Sequence, residues 1–587
     1  MKPLFAILCA AASLSAEADV QYQMTITDPA HHLAQVEMTQ AKGAGKVDLM
    51  MPAWRTGRYQ ILDQADTLRA VTASIDGQPV AIEKIDKSTW RVMAEQSGTL
   101  KVSYQLYANR LGERLHHIDD SHAFIDASGA FLYSSATRQQ PVTVALSVPK
   151  GWRSASGMEK TGEHSFKAAN YDVLIDSPIE TGIHQDYAFG AGGKDYQLVI
   201  WGDGNYQGQQ MADDLKKMVT ASQAIWQGYP FDRYLFMVHA TSGERGATEH
   251  LNSTIIQTSR YNFAPREAYL RFLGTAAHEF VHTWNVKAYR GEGLVPYDYQ
   301  HENYATLLWL AEGSTSYFQN QLLLRAGLMK PEEYFKVLAG SIKAYRANPG
   351  RFSQSVSQAS FDSWIEKGGD YGHNFSVNIY SEGALVSWLL DADLLKTTAN
   401  KVSYRDLHQR LYAKHRIPET FNDQTLLDEL KSLSGKDYSA FWAKKVKAPL
   451  GDIDFDALLD QFGLKLDAGD QALFTGLTLD DKGAVLGVEK DSPAWQAGLS
   501  DGDILVALDG LRLVPGTLEE RLKAHKAGDK VKLTLFRRDA LQSLEVTLGE
   551  RPAEYKVVPV KHPSRAQKVA FKAWLGIDLP APDANKA

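Results

Sequence analysis

AAHEFVHTWN, residues 276 to 285, sets His278 and His282 four positions apart and puts a carboxylic acid, Glu279, directly after the first. On a helix of about 3.6 residues per turn both imidazoles leave the same face and can meet at one point. The neighbours Ala276, Ala277, Phe280, Val281 and Trp284 are apolar, so the spacing predicts a helix whose polar atoms serve a site. A His-Glu-x-x-His helix can hold zinc through both imidazoles and present its glutamate to the open coordination position. A hydrolytic zinc takes three protein ligands and keeps one position for water. Glu312, in LLWLAEGSTSYF (307–318), is the candidate third ligand. Alone it would be an exposed helical acid ahead of Gly313. With His278 and His282 in the same chain the ligand reading prevails, because a carboxylate in an apolar run is costly unless paired or metal-bound. No Gly-x-x-His follows the pentapeptide at the metzincin distance, which favours a glutamate ligand. The expected cofactor is one Zn2+ per chain, with Glu279 as the base that takes a proton from water and passes it to the leaving amine.

At 587 residues the chain exceeds a single core and predicts about three or four domains. Its composition, 44% hydrophobic and 23% charged, is that of a globular protein rather than a disordered or membrane-embedded one. A net charge of −7 and the lack of a nucleic-acid-binding motif exclude nucleic acid as the main partner. The first residues, MKPLFAILCAAASLSAEADV, carry Lys2, an apolar run from Pro3 to Ala12 and the small-x-small Ala16-Glu17-Ala18. That is a secretory signal pattern over residues 1–18, too short to span a bilayer, so a periplasmic or secreted mature chain with no integral membrane segment is expected. Cys9, the one cysteine, lies inside this segment after Leu8. Neither disulfides nor a thiol nucleophile would remain after cleavage.

Runs such as LKVSYQLYA (100–108) and VTVALSVP (142–149) alternate with period two and predict antiparallel β structure over residues 19–190. From Tyr196 to about Leu450 the pattern turns helical, with QQMADDLKKMVTASQAIWQGY (209–229) and REAYLRFLGTAAHEFVHTW (266–284) among the longest runs. This predicts a mainly helical domain at 191–455. Short strands return after Phe455 and predict a compact unit at 456–550, followed by a loosely held tail at 551–587. His31-His32 and the run HHIDDSH (116–122) fall in the β region and are read as polar turns.

Further segments follow in order along the chain: MPAWRTGRY (51–59), YDVLIDSPIETG (171–182), YPFDRYLFMVHA (229–240), GATEHLNST (246–254), HEFVHTWNVK (278–287), LWLAEGSTSYF (308–318) and IYSEGALVSWLLD (379–391). Together they resemble the glycyl aminopeptidase family of PDZ-domain-containing zinc metallopeptidases, distant relatives of aminopeptidase N. Thr56 stands where that family's Pro-x-Trp-x-Pro-Gly-x-Tyr element has its second proline. The resemblance implies a multidomain α+β fold: an N-terminal antiparallel β domain, a mainly helical thermolysin-like zinc-peptidase domain and a C-terminal PDZ domain. It implies that Gly246, Ala247 and above all Glu249 bind the substrate's free N-terminus, and that Tyr380 donates to the oxyanion. Glu382 replaces the lysine usual in the Tyr-x-Lys-Gly element. DSPAWQAGLSDGDILVALDG (491–510) and the loop Phe474–Leu479 are similar to the helix–turn–strand and carboxylate loop of a bacterial PDZ domain, which implies a C-terminal peptide ligand. The implied function is a zinc aminopeptidase acting on peptides with small first residues, Gly or Ala. Two alternatives are an endopeptidase to which the PDZ domain delivers longer chains, and a peptide-binding or chaperone-like protein without turnover. Since the expected chemistry lies between Glu249 and Tyr380, residues 456–550 are expected to be separable from it.

Overall fold

The strand Leu33–Lys42 buries every second side chain, the alternation that a sheet with one face on a core imposes. In the computed structural model, which describes residues 19–365 and 368–582, this strand lies near the middle of an eight-stranded sheet. The signal pattern at 1–18 lies outside the described residues. Val20–Asp28 pairs antiparallel with Leu33–Lys42 and parallel with Val142–Ser147, so one parallel pair interrupts an otherwise antiparallel arrangement. Three- and four-stranded sheets complete this β-rich unit. The run HHIDDSH forms a hairpin, His117–Ile118 against His122–Ile125. Its turn is held by Asp119 Oδ1, which accepts from the amides of Ser121 and His122, while His122 is buried with its Nδ1 on Glu180.

The described residues divide into two compact units, those up to 56 with 62–185, and 57–61 with those from 186 on. Gly57–Ile61 is thus grouped with the second unit although its flanks belong to the first. The loop's neck is closed within the first unit, where Leu62 N donates to the Ala53 carbonyl at 2.6 Å.

The second unit holds a five-stranded sheet in the order Gln185–Ala191, Lys194–Trp201, Arg233–Thr241, Ser253–Ser259, Gly246–Glu249. Arg233–Thr241 is buried at every position after the first, the signature of a central strand covered on both faces. Such a continuous apolar run has no period by which to tell it from a helix, and so the sheet was not expected inside a helical stretch. Gly246–Glu249, here β1, pairs antiparallel with Ser253–Ser259 and forms the sheet's outer edge. The helices that matter for the site are α1 (Arg266–Val281), α2 (Ser314–Arg325), α3 (Gly369–Phe375) and α4 (Ser381–Thr397).

The PDZ region has a core of its own that includes Val485, Val488, Leu505, Leu508, Leu533 and Leu535. It is nevertheless fastened to helices of the same unit at two places. Asp370 and Asn374 of α3 take the hydrogen bonds of a strand edge: Val488 N donates to Asp370 Oδ1 at 2.9 Å, Asn374 Nδ2 donates to Val488 O at 2.8 Å, and Lys490 N donates to Asn374 Oδ1 at 2.8 Å. The second fastening overturns the expectation of a loose tail. Tyr555–Pro559 pairs with Leu464–Ala468, and Arg565–Leu575 forms a helix, α5. A Ser564/Gln567 capping box opens α5 and Gly576, at φ 77°, closes it, both signals readable in the sequence. Trp574 of α5 stacks on Trp388 of α4 with centroids 5.6 Å apart and donates from Nε1 to Tyr317 Oη at 2.7 Å. Its carbonyl accepts from Arg325 and Arg405. Trp574→Ala is expected to cost about 3–5 kcal/mol, the range for emptying a large aromatic site, and calorimetric unfolding of the full chain would show a lowered midpoint for the catalytic unit. The same measurement on a chain ending before Phe455 should show a still lower one.

Candidate active site

His278 and Glu279 lie in the last turn of α1, and His282 follows directly after it. His278 Nδ1 donates to Gln319 Oε1 at 2.8 Å, and His282 Nδ1 donates to the Asn285 carbonyl at 2.9 Å. Both partners only accept, so both protons sit on Nδ1 and both Nε2 atoms carry lone pairs. Those two Nε2 atoms are 3.1 Å apart. Glu312 Oε2 stands 3.2 Å from His282 Nε2 and 3.6 Å from His278 Nε2. It is a buried oxygen with no hydrogen-bond partner among the described residues. Three electron-pair donors converging without a proton between them are a fit for a cation. Two neutral imidazoles and one carboxylate are a zinc donor set, and hydrogen-bonded Nδ1 atoms are the usual support of such ligands.

Glu312 reaches this point from a widened turn. Trp309–Gly313 is a π-helical segment ahead of α2, a conformation that frees backbone carbonyls. Asn285 uses them: its Nδ2 donates to the carbonyls of Leu310 and Ala311, each at 2.9 Å. Asn285 therefore serves His282 with its own carbonyl and fixes the Glu312 turn with its side chain. The crossing of α4 over this turn needs two glycines. A Cβ on Gly313 would lie 2.3 Å from the Gly383 carbonyl carbon, and one on Gly383 would lie 2.6 Å from the Trp309 oxygen. This close approach brings Tyr380, at the start of α4, to His278, with rings stacked at 5.9 Å and 25°.

Glu249 ends the edge strand β1 and is buried, with Gly246 and Ala247 preceding it along the same edge. Atoms of Glu249, Glu279 and His282 lie within 4.8 Å of one another. The buried Lys287 places Nζ 4.0 Å from Glu249 Oε1. A cleft of about 1060 Å³ opens from this point, with Gly246, Ala247, Glu279 and Tyr380 at one end and Arg271 and Lys336 further along. The structure thus gathers His278, Glu279, His282, Glu312, Tyr380 and Glu249 in one place. Sequence reading passed over Asn285 and Lys287, although both are polar residues in the apolar run after His282 and so carried a signal. It also passed over Gln319, one helical face on from Glu312, and assigned no role to Tyr59, whose hydroxyl donates to Glu312 Oε1 at 3.4 Å.

Glu382 is buried where the resembled family carries lysine, and its Oε1 has no hydrogen-bond partner among the described residues. Burial pushes its carboxyl up from 4.5 to about 8, against the smaller opposing effect of Arg351. Glu382 is therefore a neutral acid at pH 7. Between these two values the unfolded chain has lost this proton while the folded chain keeps it, so the carboxyl lowers stability progressively as pH rises through that window. Glu382→Gln, which cannot ionise, should gain stability relative to the parent between pH 5 and pH 8. Denaturant midpoints measured at both ends of that range check this, and a constant difference would contradict it.

Comparison with known proteins gives the same order of parts. Residues 21–183 match the Peptidase M61 N-terminal domain, residues 271–386 match M61 glycyl aminopeptidase, and residues 472–548 match the PDZ domain. Among solved structures, an aminopeptidase N family protein from Idiomarina loihiensis is 27% identical, covering 95% of this chain and 100% of its own at a TM-score of 0.88. An M1 zinc metallopeptidase from Deinococcus radiodurans is 14% identical over 71% of this chain and 90% of its own, with a TM-score of 0.46. Yeast LTA4 hydrolase is 14% identical over 74% of this chain and 68% of its own, also at 0.46. No curated protein matches the chain.

Proposed function

We propose that this chain, whose domains are those of the M61 glycyl aminopeptidase family joined to a PDZ domain, is an exported zinc aminopeptidase that removes small first residues, Gly or Ala, from peptides. One observation carries the reading: Glu249, Glu279 and His282 bring side-chain atoms within 4.8 Å of one another. Consecutive Cα atoms are about 3.8 Å apart, so an α-ammonium held by Glu249 puts the first peptide bond at the hydrolytic groups. No length remains for a residue before it. An endopeptidase would need that space.

His278, His282 and Glu312 would hold one zinc per chain, which would supply Lewis-acid polarisation of the scissile carbonyl and acidify water to a pKa of about 7. The chain's own residues do the rest. Glu279 takes the proton of the attacking water and delivers it to the leaving nitrogen. Tyr380 donates from its hydroxyl to the carbonyl oxygen as negative charge grows there. The backbone of β1 at Gly246 and Ala247 receives the peptide as an added strand, and the cleft beyond takes its C-terminal part. In this division residues 19–190 form the β domain, 191–455 the hydrolytic domain and 456–550 the PDZ domain. The Phe474–Leu479 loop of the last holds a peptide C-terminus. No helix among the described residues is long and apolar enough to cross a membrane.

Glu279→Gln should retain one zinc per chain by metal analysis and lose most turnover, whereas His282→Ala should lose the metal. Tyr380→Phe should bind substrate normally and lower kcat by about 10²–10³, the effect of one missing oxyanion donor. The aminopeptidase reading itself is tested by mass-spectrometric product analysis of one peptide with a free and with an acetylated N-terminus. The parent should cleave only the free form, and Glu249→Ala should raise KM for it and narrow the difference. Equal cleavage of both forms by the parent would overturn the reading.

A further inference from the structure

MPAWRTGRY stood out in the sequence, yet nothing in the hydrolytic mechanism uses it. The structure carries its last part, Gly57–Tyr59, to the two carboxylates that define the site. Gly57 has φ +82°, and a Cβ added there would meet Glu249 Oε2 at 2.7 Å and Oε1 at 2.8 Å. The peptide backbone at Gly57 thus lies directly against the acid that holds the substrate amine, and only glycine permits that approach. Two residues on, Tyr59 Oη donates to Glu312 Oε1 at 3.4 Å, and the Tyr59 ring is held edge-on by Trp364 at 6.1 Å and 84°. The loop therefore spans from Glu249 to Glu312.

We infer that Gly57–Tyr59 is the specificity element of this site: the Tyr59 ring occupies the room that a large first side chain would need. The inference rests on the aminopeptidase reading above and gives it a physical cause. An amine fixed on Glu249 and a carbonyl fixed at the zinc site leave the first side chain one direction to project, and a tyrosine pinned between Glu312 and Trp364 closes it. Glycine and alanine fit; leucine or phenylalanine would have to displace the ring and break its hydrogen bond to Glu312. Tyr59 is a specificity-determining residue here, not a proton-transfer group.

The experiment measures kcat/KM for two peptides that differ only in the first residue, Gly or Leu, within single preparations, so that the ratio is independent of the zinc-loaded fraction. The parent should favour Gly. Tyr59→Ala should shift the Leu-to-Gly ratio toward Leu by about tenfold or more, the scale of discrimination that apolar pocket space provides. Tyr59→Phe, which loses the hydroxyl and keeps the ring, should leave the ratio within about twofold. Calorimetric binding of the same peptides in the Glu279→Gln background supplies a readout without turnover, and there too Tyr59→Ala should tighten only the Leu peptide. If Tyr59→Ala does not fold, Tyr59→Val, smaller than tyrosine but still apolar, makes the same test. Gly57→Ala should raise KM for both peptides together, because it displaces Glu249. An unchanged ratio in Tyr59→Ala, or a parent indifferent to Gly and Leu, overturns the inference. Equal cleavage of acetylated peptide by the parent overturns the aminopeptidase reading instead, and the two failures are thereby distinct.

Discussion

Glu312 Oε2, buried and facing two imidazole lone pairs at 3.2 and 3.6 Å, is the contact around which the catalytic unit is arranged. Such an arrangement is unfavourable in a folded chain unless a cation completes it, because burial removes the water that would otherwise satisfy each atom. Its neighbours hold it in place against that tendency. Gln319 and the Asn285 carbonyl hold the two Nδ1 protons away from the centre, Asn285 Nδ2 fixes the carbonyls of the π-turn, and the Tyr59 hydroxyl takes the carboxylate's second oxygen. The proposed donor set is thus positioned by residues outside it.

Close backbone approach is the second constraint, and glycine supplies it at three places around the site. Gly313 and Gly383 let α4 cross the Glu312 turn closely enough for Tyr380 to stack on His278. Gly57 lets the loop press against Glu249. In each case a single methyl group would displace a functional carboxylate or the helix beside it, and no side-chain rearrangement could relieve contacts that are largely with backbone at the first two sites. Catalytic geometry here is therefore a property of where the main chain can go, as much as of which side chains are present.

The PDZ region follows a different logic. Its own leucine and valine core makes it a domain, but Asp370 and Asn374 satisfy one of its strand edges from α3, and the chain after it returns to the catalytic helices through Trp574. α3 ends five residues before Tyr380. The expectation of a detachable unit with a loose tail came from the short-strand pattern and the Pro-rich end LPAPDANKA. It overlooked the Ser564 capping box and the apolar face of Ala570, Phe571, Trp574 and Leu575, all of which are buried.

What the sequence by itself determined is what depends on local spacing. The four-residue interval of His278 and His282 made a helix with two convergent imidazoles legible because helical geometry is set by the backbone alone. Period-two alternation likewise disclosed the β-rich N-terminal unit. Glu312, the proposed third ligand, thirty residues on, was legible only as a carboxylate out of keeping with its apolar run. Only the tertiary structure decided the rest. It set Glu312 on a π-turn, brought the β1 edge carrying Glu249 to within 4.8 Å of Glu279 and His282, and delivered Tyr59 from a loop more than 200 residues upstream. Those contacts follow from how sheet and helices pack, and packing joins residues that no local period relates.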